Sequence, residues 1–253
     1  MKKRFSLRNK LMIVFGMLIL AVGLTLGILA VRTATRAVTE KVETHLIDKA
    51  TDTAEILDGR VTAFWQFLEG IARMPILTDP ASSYTDKIAL LKAEEAFNPL
   101  IHSFTFCDIA GNAYVSSGQM VSVQDREWFH SAIKGKTFIT EPILSRADGS
   151  LSLTFAVPIY DNNRTVIGVL AADLFAQKLS EEISDIVVGK TGECYILGLT
   201  GTTIAQKNFE LVRSQDNILN NAKTNSDFTS LATFTQHALE IDESEVGYYE
   251  YKG

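Results

Sequence analysis

The chain begins with a stretch of apolar residues that outruns a soluble helix. From Leu11 to Val31 there are 21 consecutive residues without a charge, about 31 Å of helix at roughly 1.5 Å per residue, enough to cross a hydrocarbon core of about 30 Å. This predicts a transmembrane helix over 11–31. The pattern then becomes amphipathic. Val38, Val42, Leu46, Ala50, Ala54, Leu57, Val61, Phe64, Leu68 and Ile71 recur at the spacing of one helical face, and no proline interrupts the run from Arg32 to Met74. A helix of that length leaving a membrane suits a stalk, 32–75, whose apolar face pairs with a second copy. A homodimer through the stalk helix is therefore expected, against the alternative of a long helix lying only on its own domain.

Pro75 and Pro80 end the stalk pattern, and Tyr84–Phe97 reads as a shorter helix before Asn98-Pro99. The period then changes to two. His102–Cys107 and Asn112–Ser117 read as strands around the turn Asp108-Ile109-Ala110-Gly111, and Trp128–Lys134 as a helix. Further strands are predicted at Phe138–Ile143, Leu151–Tyr160 and Thr165–Phe175, with turns at Ala147-Asp148-Gly149 and Asp161-Asn162-Asn163. A second unit repeats the theme more weakly: a helix over Leu179–Val188, a turn at Gly189–Gly192, and strands at Glu193–Leu197 and Thr202–Ala205. A helix over Thr224–Ile241 and a strand over Gly247–Tyr251 complete it. The class is α+β: a membrane helix, a long stalk helix, and two tandem antiparallel-sheet modules, the second incomplete.

Charge sets the orientation. Five of the 24 basic residues, Lys2, Lys3, Arg4, Arg8 and Lys10, precede the span with no acid among them. The bias of positive charge towards the cytoplasm places residues 1–10 inside and the body outside. A cleaved signal peptide is the competing reading, but the apolar stretch exceeds the roughly 7–15 residues of an h-region. Beyond residue 10 the chain has 19 basic and 30 acidic residues, a balance that excludes nucleic-acid binding. Cys107 and Cys194 are too few and too far apart for a disulfide framework or a zinc site. His45, His102, His130 and His237 show no ligand spacing, and no nucleophile elbow, P-loop or dinucleotide fingerprint occurs. No catalysis, cofactor or metal is expected.

One ordered set of motifs is more specific. Asp125-Arg126-Glu127-Trp128-Phe129, then Thr140-Glu141-Pro142, then Phe155-Ala156-Val157-Pro158-Ile159-Tyr160, then Gly168-Val169-Leu170-Ala171-Ala172-Asp173-Leu174 resembles the double Cache (dCache) sensor domains of bacterial chemoreceptors. The resemblance implies a stalk followed by a membrane-distal PAS-like module, 76–178, that binds a small ligand, and a membrane-proximal one, 179–253. In amino-acid-binding members, the positions matched by Arg126 and Trp128 meet the ligand carboxylate and the position of Asp173 meets its ammonium. The physics agrees: guanidinium and indole N–H groups donate to a carboxylate, and a buried aspartate needs a cation.

This sequence departs from that pattern at Phe129, Ile143 and Ser145, where the family has tyrosine, tyrosine and aspartate. Each missing polar group in a buried site costs about 1–3 kcal/mol towards the same ligand. An amino acid, an amine or a carboxylate is therefore the expected partner. Ser103 and Thr105 are candidates too if their side of the strand faces the pocket. The residues leave other roles open: Arg126 as a structural arginine, Trp128 as core, Asp173 as a cap. The sequence stops after one late strand with no second span, so the expectation is an inner-membrane sensor, periplasmic beyond its anchor and cut before the span that returns to its cytoplasmic signalling partners. Such sensors front chemotaxis receptors, and also histidine kinases and diguanylate cyclases.

Overall fold

The structure is a computed structural model and describes residues 7–188, 192–241 and 243–250. It contains two compact units, one formed by the chain up to Thr53 with Ser244–Val246, the other by Ala54–Glu243 and the chain from Gly247. The predicted span and stalk belong to a single 66-residue helix, α1 (Leu7–Ala72). Nothing before Pro75 removes a backbone donor, so the helix has no reason to stop. Its segment Leu11–Val31 is long and apolar enough to cross a membrane, and its large side chains are exposed, as lipid-facing residues are.

The proline that ends α1 starts the next turn of helix. Pro75 is the first residue of α2 (Pro75–Thr78), where its missing N–H costs nothing. In α3 (Tyr84–Glu95) the Ser83 hydroxyl caps the helix by accepting from the Asp86 N–H, and it donates to the Asp86 carboxylate.

The sheet follows: β1 (Ile101–Asp108), β2 (Asn112–Val115), β3 (Met120–Ser122), α4 (Glu127–Ile133), β4 (Phe138–Ile139), β5 (Ile143–Leu144), β6 (Leu151–Tyr160) and β7 (Val166–Phe175). The strand order is β3-β2-β1-β7-β6-β4, with β5 also paired to β6, and every pairing is antiparallel. Gly111 (φ +82) makes the predicted β1–β2 turn, where the Asp108 carboxylate accepts from the backbone of Ala110 and Asn112. Two differences from the sequence reading have local causes. The predicted strand 138–143 is split by Thr140–Pro142, because Pro142 cannot donate to a ladder. Strand β3 was not anticipated, since Met120–Ser122 is short and mostly exposed.

One face of the sheet packs on helices. Phe104 and Phe106 of β1, Leu153, Phe155 and Val157 of β6, and Leu170 and Ala172 of β7 form a core with Leu68 and Ile71 of α1, Leu77 of α2 and Leu91 of α3. Phe155 meets Phe64 and Trp65 of α1 edge-on, with ring centroids 4.7 and 4.9 Å away. The other face packs on α4 through Cys107, Ala113, Val123, Trp128, Phe129, Ala156 and Val169. The strict alternation of a strand assigns each residue to one face or the other.

Beyond β7 the elements are α5 (Ala176–Ser184), β8 (Val187–Val188), β9 (Gly192–Glu193), β10 (Tyr195–Leu197), β11 (Thr203–Gln206), α6 (Phe209–Arg213), α7 (Ile218–Thr224), a 3-10 turn (Ser226–Phe228) and α8 (Thr229–Glu240). The expected helix over 179–188 starts earlier and gives way to β8. The expected turn at Gly189–Gly192 lies mostly outside the described residues. Among the described residues these strands pair as β8–β9 and β10–β11. The predicted last helix begins at Thr229, preceded by α6 and α7, which were too short to give a readable period. Residues 247–250 form no strand: Tyr249 stacks on Phe234 of α8 at 5.2 Å, and the Glu250 N–H donates to Ser230. Tyr251 lies outside the described residues.

Candidate functional site

On the α4 side of the sheet, three adjacent strands place Ser103, Asp173 and Thr154 side by side, since Asp173 is opposite Ser103 on β1 and opposite Thr154 on β6. The Thr154 hydroxyl donates to Asp173 Oδ1 at 2.7 Å and the Ser103 hydroxyl to Oδ2 at 3.4 Å. The next row is Thr105, Ala171 and Ala156. Its two alanines leave room above the sheet.

Arg126 and Trp128 approach that space from the start of α4. Arg126 sits in extended conformation at the helix N-cap (φ −83, ψ 131) and makes no capping bond of its own. Its guanidinium instead donates from Nη2 to the carbonyl of Leu144 at 3.1 Å. Trp128 is buried among the α4-side core residues, with one side on the cavity. The result is a small cavity of about 40 Å³ lined by Thr105, Arg126, Trp128, Ile143, Ser145 and Asp173 from the sequence reading, and by Thr154, Ala171, Arg146 and others besides.

Electrostatics separate the two ends of this wall. Burial pushes the Asp173 carboxyl above its ordinary range, while the Thr154 hydroxyl and the His102 ring pull it back. No ion pair among the described residues includes Asp173. Burial, followed by the neighbouring Arg146, lowers Arg126, which Asp125 and Asp173 oppose. A guanidinium remains charged through such a change. The cavity wall therefore carries one carboxylate, Asp173, and two guanidiniums, Arg126 and the Asp125-paired Arg146, beside apolar groups, a lining that can meet a small molecule bearing both charges.

The open alternatives resolve unevenly. Trp128 is core and cavity wall at once. Asp173 does not cap α5, whose N-cap is Phe175 without a side-chain bond. Arg126 has no carboxylate partner among the ion pairs of the described residues. Ser103 and Thr105 share the α4 side, while Phe104 and Phe106 face the helices. Phe129 is buried beside Trp128 without lining the cavity, so its lost hydroxyl is not a gap in the wall. Sequence reasoning missed Thr154 and Arg146. Thr154 sits one residue before the Phe-Ala-Val-Pro motif, and its alignment with Asp173 depends on a bulge between Ile159 and Tyr160 that no residue type announces. Gly168 also gains a reason: a Cβ there would stand 2.8 Å from the Cys107 carbonyl oxygen and 3.2 Å from the Phe106 ring.

The opposite face of the same strands walls a second cavity of about 600 Å³. It is mainly apolar, with Leu153, Phe155 and Leu174 facing Val61, Phe64 and Phe67 of α1, and the paired Arg60 and Glu182 among its lining residues.

Comparison with known proteins places this geometry. The Bacillus subtilis methyl-accepting chemotaxis protein McpB is 34% identical over 87 residues, which is 34% of this chain and 12% of that relative. The matched stretch is thus a small part of the relative's length. The ligand-binding domain of the Pseudomonas fluorescens chemoreceptor CtaA, in complex with L-isoleucine, superposes with a TM-score of 0.62 at 17% identity, covering 75% of this chain and 78% of that one. The ligand-binding domain of the Campylobacter jejuni chemoreceptor Tlp3, in complex with L-valine, gives 0.57 at 21% identity, covering 78% and 83%. These likenesses show the fold. The Cache domain model (dCache_1) matches residues 30–252, nearly everything beyond the span. A long apolar helix, a six-strand antiparallel path and a match of that extent lead to one conclusion: the chain belongs to the Cache domain family.

Proposed function

We propose that the chain is the sensor portion of a transmembrane chemoreceptor and that it binds a small amino acid, or a related amine or carboxylate, in the cavity beneath α4. The carrying observation is that Arg126 and Trp128 share one cavity with the partly buried Asp173, which has no ion-pair partner among the described residues. Carboxylate at the arginine and indole, ammonium at the aspartate, gives each buried charge the partner it lacks. Related folds bind ligands of this kind: CtaA has been crystallised with L-serine and L-leucine, and a Pseudomonas aeruginosa chemoreceptor, PctC, with GABA. Ile143 and Ser145 in the wall favour a ligand that needs fewer polar contacts than one read by tyrosine and aspartate.

In this reading residues 1–10 are cytoplasmic, 11–31 span the inner membrane, and 32–75 form a periplasmic stalk that pairs two copies. Residues 76–178 are the membrane-distal ligand module and 179–253 belong to the membrane-proximal one. The McpB and TlpA relatives favour a chemotaxis output over a kinase or cyclase. Ligand signals only through its difference in affinity for two arrangements of the module.

The test is a thermal-shift screen of the detergent-solubilised chain against amino acids, amines and small carboxylates, with Arg126→Ala and Asp173→Ala as controls. A true ligand at about a hundred times Kd adds about 2.7 kcal/mol, roughly 5–10 °C for a domain of this size. A shift removed by both substitutions supports the reading, and a shift that survives both, or none across the three classes, refutes it.

A further inference from the structure

We propose that Ser145–Gly149 is a strap over the ligand cavity, latched by Arg146 to Asp125 on one side and by Asp148 to His102 on the other, and that ligand enters when the strap lifts. The proposal rests on the reading of this cavity as the ligand site.

Volume demands a moving part. A cavity of about 40 Å³ is far smaller than the roughly 150 Å³ of space that admits a benzene molecule. Even the smallest amino acid has five non-hydrogen atoms, so some wall must yield. Most walls are expensive to move. Thr105, Ala171, Thr154 and Asp173 stand on β1, β7 and β6, whose ladders run nearly their full length, and Trp128 is held in the α4 core.

The wall formed by Ser145, Arg146 and Ala147 is different, because it follows β5, which has a ladder of only two pairs with β6. The segment keeps its shape by internal bonds: Ser145 N–H to Ser150 O at 2.8 Å, Gly149 N–H to Ser145 O at 3.0 Å, and Ser150 N–H to Asp148 Oδ1 at 3.0 Å. It can therefore swing as a formed unit about the end of the β5–β6 ladder.

What holds it down is side-chain hydrogen bonding. Arg146 forms two parallel bonds of 2.6 Å to the Asp125 carboxylate, just before α4, and a third to the Ser122 carbonyl at 2.8 Å. Asp148 pairs with His102 Nε2 on β1, whose ring lies against Phe175 with centroids 4.0 Å apart. Both pairs are partly exposed, so water can replace either contact at little cost, and salt weakens the Arg146–Asp125 ion pair further. Arg126 connects latch and ligand, since its guanidinium both lines the cavity and donates to Leu144, the residue at the root of the strap.

Access to the cavity can be read without knowing the ligand. Thr105→Cys puts a thiol in the wall of the full-length solubilised chain, and its labelling rate by a small methanethiosulfonate reagent reports opening. Cys107 and Cys194 of the parent chain supply the background. Ala171→Cys gives the same comparison if Thr105→Cys does not fold. Arg146→Gln and Asp148→Asn are each expected to speed labelling two- to fivefold, and their combination by about the product. The charge-swapped pair Asp125→Arg with Arg146→Asp should bring the rate back towards the parent value. Unchanged rates in the latch variants would overturn the strap. So would faster labelling matched by an equal rise at Cys107, which is buried in the core and reports general unfolding. Because no ligand is present, this outcome is independent of the thermal-shift screen: latched labelling without any ligand shift would sink the ligand reading and leave the strap.

Discussion

Replacing Asp173 with asparagine should make the empty protein more stable and the ligand-bound protein less so. The carboxylate receives two hydroxyl bonds, one short from Thr154 and one long from Ser103, and no ion pair among the described residues includes it. Two donors leave part of its acceptor capacity unmet while burial raises the cost of its charge. Asparagine keeps an oxygen for Thr154 and drops the charge, a gain of about 1 kcal/mol, or roughly 2–4 °C. With ligand the order reverses. Truncating one partner of a buried charge pair costs about 2–5 kcal/mol. At a ligand concentration of about a hundred times the parent Kd, a loss of about 2 kcal/mol cuts the stabilisation from about 2.7 to about 0.9 kcal/mol.

Differential scanning fluorimetry with and without ligand reads both signs in one experiment, and pH adds a third. A carboxyl whose folded pKa is raised penalises folding above that raised value, and the penalty is absent below its unfolded value. The advantage of the asparagine variant should therefore shrink as pH falls through the raised pKa of Asp173. A variant less stable than the parent when empty would show that Asp173 anchors the sheet through its hydroxyl partners. An unchanged ligand shift would remove it from the site.

Three further outcomes are expected. Thr154→Val removes the 2.7 Å bond to a charged acceptor and should cost about 1.5–3 kcal/mol in chemical denaturation, a neutral result meaning that the bond is not formed in solution. Gly168→Ala should cost about 1–3 kcal/mol, because its Cβ would enter the space of the Cys107 carbonyl; wild-type stability would show that the β1–β7 pair opens more easily than its register suggests. Val42→Cys, on the apolar face of the stalk, should give a disulfide-linked dimer on mild oxidation of the membrane-embedded chain, and failure there and at Val38→Cys and Leu46→Cys would remove the proposed pairing of stalks.

The parts of the fold read best from sequence were those governed by a single local rule. Hydropathy marked the apolar first part of α1, the absence of proline marked its continuity, and alternation with turn residues marked β1, β2, β6 and β7. A motif pointed to Arg126, Trp128 and Asp173, and the cavity that all three line depends on the strands being in register. That register was not legible. Counting back from the Asp161–Arg164 turn without its bulge pairs Asp173 with Leu153, which lies on the other face, whereas the bulge brings Thr154 opposite instead. Arg146 was hidden for a different reason: its role comes from Asp125, 21 positions earlier, and no spacing rule links two loops. In the C-terminal part, α6 and α7 have five and seven residues, too few to establish a period.

The alternation of β6 and β7 constrains how this protein can change. Thr154 and Asp173 address the small cavity, while their immediate neighbours Leu153, Phe155 and Leu174 address α1 and the apolar space beside it. Two vocabularies are interleaved letter by letter in the same strands. A substitution edits one and spares the other, so the lining of the small cavity can drift by point changes while the contact with α1 stays intact. A single inserted or deleted residue between 151 and 160 or between 166 and 175 would transpose them, pointing leucines at the small cavity and an aspartate at α1. Lineages descended from such a chain should therefore vary in length at the turns and only in spelling along these strands.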